Sequence, residues 1–257
     1  MRNRVRVGVG AAVGAATAAH VLPAATWLPQ VRRLTPRLRG IGRPGHVALT
    51  FDDGPSPAST EPLLELLDEL GVRATFFVLG QRLVRHPELG AAIADAGHEL
   101  AVHGWSHRYL LFRPFPAVVT ELHLATQIVR EVTGTSPAWF RPPYGVLTAG
   151  TLLAASRCHL RPVLWTAWGR DWRLTAPDQI AGNVLKDVGR AGTILLHESP
   201  VSGNRDADLY VRAALPTIVA ECRARHLEVG SLAEHGIPAE GRLPGLRVLS
   251  RRSTSQA

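Results

Sequence analysis

The chain is 257 residues long, 46% apolar and 19% charged, which is ample for one sizeable core and excludes a disordered or fibrous protein. Its net charge of +8 is carried almost entirely by arginine, Lys186 being the single lysine, and favours acidic polymers or anionic lipid as neighbours. No basic stripe with interleaved aromatics accompanies that charge, so nucleic acid is set aside as a partner.

Residues 1–29 read as an export segment. Arg2, Arg4 and Arg6 precede an apolar run from Val7 to Ala19, and Ala16-Thr17-Ala18 offers a small-residue cleavage site. His20 and Pro23 interrupt the run short of the ~20 residues of a membrane span. Val21 to Leu28 could instead extend it into an uncleaved anchor. Either way export is expected, with the protein secreted or associated through its N-terminus with the outer face of a bacterial membrane. Residues 30–45, "QVRRLTPRLRGIGRPG", join five arginines to prolines and glycines and read as a solvated linker.

From residue 46 to 238 strand-like and helix-like segments alternate. "HVALTF" (46–51) is a β-rich run, and "TEPLLELLDELG" (60–71) has helical periodicity, with Thr60 as N-cap and Gly71 as stop. The strands "RATFFVLG", "HELAVHG", "AWFRPPYG", "RPVLWTAW", "GTILLHES" and "LEVGSL" follow, with helices between them. Among those helices, "PAVVTELHLATQIVREVTG" is long, amphipathic and closed by Gly134. Seven β segments separated by helices predict one α/β domain, a distorted (β/α) barrel of seven to eight parallel strands. No glycine-rich phosphate fingerprint follows the first strand, which argues against a dinucleotide fold. Residues 239–257 read as a flexible basic tail. Cys158 and Cys222 are either a disulfide of an exported protein or two unpaired thiols.

The chemistry-bearing residues fall just after the apolar runs. Asp52 and Asp53 follow the first strand, His103 and His107 the third, Arg141 and Tyr144 the fourth. Asp171 and Trp172 follow the fifth, and His197 the sixth. In a barrel the C-terminal strand ends converge on one face, where residues distant in sequence can meet. "HGWSH" alone is either a hydrogen-bonded pair of histidines or, if one helical turn carries both rings to the same side, half of a metal site. "DDG" alone is an Asp-Gly turn. Together, two histidines and one aspartate match the open three-ligand pattern of catalytic zinc. The second aspartate then stays free to accept a proton, and a shared cation offsets the repulsion between the two acids. Arg141 is either a surface residue before a Pro-Pro turn or a clamp on a catalytic carboxylate. His197 is either a buried structural histidine or a general acid. Asp171 could orient His197 or Arg141.

Taken together, "TFDDGP", "HGWSH", "FRPPYG", "GRDW" and "LLHES" resemble, in order, the polysaccharide deacetylases of carbohydrate esterase family four, the NodB-type domain. The resemblance runs from about His46 to His235. It implies a metal-dependent hydrolase, using zinc or another divalent ion, that removes N-acetyl groups from an acetylated polysaccharide of the peptidoglycan or chitin kind. It further implies Asp52 as general base, and Asp53, His103 and His107 as metal ligands. Arg141 would buttress the base, Tyr144 would offer its backbone N–H to the oxyanion, and Asp171 would tune the catalytic groups. His197 would be the general acid, with Trp172 and Leu195 lining the groove and acetyl pocket. Two positions depart from the pattern: Trp168 stands where a further Asp is common, and Glu198 replaces the Asp after the last histidine. The alternatives are a metal-dependent amidase of a small molecule and a non-catalytic glycan-binding module on the same fold.

Overall fold

The computed structural model describes residues 14–173, 176–199, 201 and 206–237. Residues 1–13 of the expected export segment and all of the expected tail lie outside them. Residues 14–21 are helical and run into a 3-10 turn, Leu22–Trp27, and a short helix α1, Pro29–Arg32. Among the described residues no helix is long and apolar enough to cross a membrane.

The domain proper follows as β1 (His46–Asp52), α2 (Thr60–Glu69), β2 (Thr75–Val78), α3 (Gly80–Arg85), α4 (Pro87–Asp95), β3 (Glu99–Val102), α5 (Phe115–Thr133) and β4 (Trp139–Phe140). Then come α6 (Ala149–Arg157), β5 (Arg161–Pro162), β6 (Ala167–Trp168), α7 (Pro177–Asp187), β7 (Thr193–His197), α8 (Ala207–Ala224) and β8 (Glu228–Gly230). Every strand pairing is parallel, in the order β5-β4-β3-β2-β1-β7-β6, with β8 beside the start of β1. The expected α/β barrel is therefore present as a curled parallel sheet. The segment expected as one strand, 161–168, is broken into β5 and β6. Its start pairs with β4 and its end with β7, so the two edges of the sheet belong to one bent stretch of chain.

All seven residues of β1 are buried, as expected for a strand at the centre of a sheet covered on both faces. Side chains of successive strand residues point to opposite faces, and the two faces have different work. Leu49, Phe51, Phe76, Ile194 and Leu196 point outward and pack on Leu63 and Leu67 of α2, Ile180 and Val184 of α7, and Leu215 and Ile218 of α8. Ala48, Phe77, Ala101, Trp139 and Val163 form a separate interior cluster. Continuing the interior parity along β1, past β3 and along β7 reaches Asp52, His103 and His197. The same alternation that buries the core aims the polar groups into the barrel mouth.

Two sequence expectations need correction. Residues 30–45 are not a solvated linker but a packed strap. Leu38 C=O accepts from Leu164 N–H at the break between β5 and β6, Gly40 C=O accepts from the Thr193 hydroxyl at 2.7 Å, and Gly42 N–H donates to Ala191 C=O. A Cβ at Gly42 would lie 2.1 Å from the His235 carbonyl, so the chain fits there only as glycine. Arginine, proline and glycine suggested solvent, yet this segment is held mainly through its main chain. Second, no helix carries His103 and His107: residues 103–110 form a loop, and His107 reaches its place through a left-handed backbone, φ 55°. Cys158 and Cys222 are free thiols, not a disulfide.

Candidate active site

β1 ends in Asp52, and the chain turns at Asp53 with φ 77°, which sends the two adjacent carboxylates different ways. Asp52 Oδ1 accepts from Arg141 Nη1 at 2.6 Å. Arg141 is fully buried and also donates to the Thr50 hydroxyl at 2.8 Å and the Leu164 carbonyl at 2.9 Å, with its guanidinium over the Phe77 ring at 4.0 Å. Burial lowers the Arg141 pKa, and the Asp52 carboxylate opposes that shift.

Asp53 faces the other way, toward both histidines. Its Oδ1 lies 3.3 Å from His103 Nε2 and 3.2 Å from His107 Nε2. His103 Nδ1 sits 2.9 Å from the Arg141 carbonyl, an acceptor, so the proton is on Nδ1 and the lone pair of Nε2 faces Asp53. Asp53 Oδ1 is buried and has no hydrogen-bond donor. Ligand atoms of Asp53, His103 and His107 all lie within 4.8 Å of one another. A buried carboxylate oxygen without a donor, facing two ring nitrogens, leaves a cation as the missing partner, and one carboxylate with two imidazoles suits a divalent ion such as zinc. Burial pushes His107 down to about 4, which keeps it neutral and able to ligate.

Across the mouth, His197 Nδ1 meets Asp171 Oδ2 at 3.0 Å, and the His197 backbone N–H donates to the same oxygen at 2.7 Å. Burial alone would lower the His197 pKa; the fully buried Asp171 beside it reverses this and raises it to about 10. Asp171 thus orients His197 and not Arg141, which resolves the open choice. Tyr144, with φ 61°, stacks on Tyr109 at 3.7 Å between ring centroids and packs on His107 at 4.6 Å. A cavity of about 380 Å³ is lined by Asp52, Asp53, His103, His107, Tyr144, Trp172, Leu195 and His197. Every sequence-selected residue except the buried Arg141 and Asp171 therefore lines one cavity, and those two hold Asp52 and His197 from behind.

Arg82, Trp27, Tyr109 and Trp165 escaped the sequence analysis, and Glu198 and Trp168 entered it only as departures from the family pattern. Arg82 of α3 donates to the carbonyls of Asp53 and Ser199 at 2.8 and 3.1 Å and fixes the turn that aims Asp53. Glu198 lies buried behind Gly54, accepts from the Thr60 hydroxyl, and is pushed up to about 7 by burial. Trp168, one of the departures from the family pattern, lines the cavity between Trp165 and Trp172, with ring centroids 5.6 and 6.3 Å away. Trp27, Tyr109 and Trp165 line it too.

Residues 39–163 match the family model of polysaccharide deacetylases. A chitooligosaccharide deacetylase of Bradyrhizobium sp. (strain ANU 289) is 36% identical over 197 residues, covering 73% of this chain and 89% of the relative. The chain belongs to the polysaccharide deacetylase family. Among solved structures, this polysaccharide deacetylase family member is similar to a family 4 carbohydrate esterase from Streptomyces lividans in complex with acetate. The identity is 32% and the TM-score 0.66, covering 72% of this chain and 92% of that one. It is also similar to a peptidoglycan N-acetylglucosamine deacetylase, with 27% identity, a TM-score of 0.72 and coverage of 79% and 93%. It spans only 32%, 25% and 60% of the length of three other curated relatives that it matches.

Proposed function

We propose that this protein is a metal-dependent hydrolase that removes N-acetyl groups from a peptidoglycan-like or chitin-like polysaccharide, acting outside the cytoplasm as a secreted or N-terminally anchored protein. The observation that carries it is the division of labour at Asp52 and Asp53: one carboxylate faces the Nε2 atoms of two imidazoles, the other is tied to Arg141 outside that set.

Asp53, His103 and His107 would hold the divalent ion, zinc by the chemistry of its donors, which when bound polarises a carbonyl and acidifies water. Asp52, held in place by Arg141, takes a proton from the attacking water. The Tyr144 backbone N–H is the proposed donor to the oxyanion of the tetrahedral intermediate. His197, whose Nδ1 is committed to Asp171, gives its Nε2 proton to the departing amine as the C–N bond breaks. Acetate and a free amino sugar leave, and no covalent enzyme intermediate is needed.

Acetate release from a panel of acetylated glycans, with and without chelator and zinc, tests this. Chelator-sensitive release from peptidoglycan or chitin oligomers is expected. Release only from small acetamides would favour the small-molecule amidase, and binding without release a glycan-binding module.

A further inference from the structure

Trp27 lies twelve residues before the start of the family match at residue 39, yet its side chain lines the catalytic cavity. It is 55% exposed, whereas Asp52 and Asp53 are each 3% exposed, so Trp27 stands at the rim and the reacting groups at the floor. A large indole left open to solvent beside a cavity is either incidental or a contact surface.

Its support favours the second. Arg32, only 9% exposed, donates from Nε to the Thr26 carbonyl and from Nη2 to the Trp27 carbonyl, both at 3.1 Å. Its Nη1 reaches the Trp165 carbonyl at 3.4 Å, and its guanidinium lies over the Trp165 ring at 4.7 Å. Trp165 lines the same cavity. It is admitted there by Gly145, where a Cβ would come within 2.5 Å of the indole. No carboxylate pairs with Arg32 among the described residues. Burying a cation against carbonyls alone costs desolvation that an apolar residue would avoid, so anchoring the strap does not by itself account for an arginine here. The guanidinium fork instead fixes the main chain at Trp27 relative to Trp165.

We propose that Trp27 is a sugar-stacking platform for a unit of the polysaccharide next to the one being deacetylated, and that Arg32 is its positioning residue. The proposal rests on the deacetylase reading above. An acetamide that reaches Asp52 and Asp53 at the floor leaves neighbouring pyranose rings at the rim, where the indole face meets their C–H faces. Such a contact strengthens polymer binding without touching the reacting atoms, so it acts on KM and on chain-length preference.

The test uses the full chain loaded with zinc, comparing chitotetraose with N-acetylglucosamine. Trp27→Ala is expected to raise KM for the tetramer about tenfold with kcat within about twofold, and to lower the tetramer-to-monomer preference equally. Trp27→Phe should restore most of that preference. Arg32→Gln should reproduce the loss, and the double variant should be no worse than Arg32→Gln. Parallel losses on both substrates, or an unchanged preference, would overturn the proposal. Calorimetric titration of wild type and Trp27→Ala with chitotetraose separates it from the catalytic reading. If wild type binds but releases no acetate, the deacetylase reading fails, and a tenfold weaker variant still supports the platform. Equal affinities would refute the platform even if acetate is released, and a wild type that neither binds nor deacetylates any glycan would overturn both.

Discussion

Asp171 grips His197 twice, its Oδ2 accepting from the main-chain N–H at 2.7 Å and from ring Nδ1 at 3.0 Å. The grip fixes the ring and holds its pKa near 10, so His197 remains a proton donor throughout the neutral range. Activity limited by this group should persist up to pH near 10 and fall above it. Asp171→Asn should cut kcat roughly 100-fold and move the alkaline limb toward the ordinary histidine value of about 6.5. The stability linked to this raised pKa is full below about pH 6.5 and disappears as pH rises through about 10. A pH–rate profile of both proteins checks the shift; an unmoved limb would remove His197 from the proton-donor role.

The two aspartates should separate metal binding from proton transfer. Asp53→Ala is expected to lose zinc, because Oδ1 is the carboxylate atom facing both imidazoles. Asp52→Asn should keep zinc at wild-type stoichiometry while acetate release drops at least about 100-fold. Elemental analysis beside the acetate assay distinguishes them, and equal zinc loss in both variants would contradict the division.

Arg141 is both clamp and core. With no solvent exposure and Asp52 as its charge partner, Arg141→Met should destabilise the fold by about 3–5 kcal/mol through the carboxylate left behind. Arg141→Lys should also be destabilising, because one ammonium cannot replace a fork that serves Asp52, Thr50 and Leu164 together. Urea denaturation monitored by tryptophan fluorescence measures both changes.

Acid should unfold the metal-free protein through buried histidines. Burial depresses His98, His107 and His235 to about 4 each. The unfolded chain therefore binds more protons between about pH 6.5 and 4, and stability falls across that window as pH is lowered. Each histidine contributes a slope of up to about 1.4 kcal/mol per pH unit. His98→Asn, which keeps an acceptor for the Ala74 N–H, should flatten the dependence by one histidine's share. Denaturation of chelator-treated protein at pH 7, 5.5 and 4.5 provides the comparison.

Much of the fold was legible because its signals are local and periodic. β1, α2 and α5 begin and end within a residue or two of the sequence expectation, and Gly134 takes the left-handed cap (φ 70°) that its position suggested. Asp52, His103, Arg141 and His197 could be found because each follows an apolar run whose alternation aims it inward, whereas Asp53 and His107 are turned into place by left-handed backbone, φ 77° and 55°. The six-residue α3 is too short to show a period, so Arg82 on it passed unnoticed. The strap was misread because its contacts are mainly to main-chain atoms, which leave no hydrophobic pattern. Trp27 and Trp165 carry no spacing signal; only the folded chain brings them to the cavity that Asp52, Asp53 and His197 line.

Residue 141 has a consequence for mechanical precision. Its guanidinium secures Asp52 while its carbonyl secures the His103 ring, so a single rigid bracket spans the proposed proton acceptor and one proposed cation ligand. Breathing of the sheet that displaces this bracket carries both groups in the same direction. The gap between Asp52 and His103 is thus buffered against motions that would detune independently mounted parts.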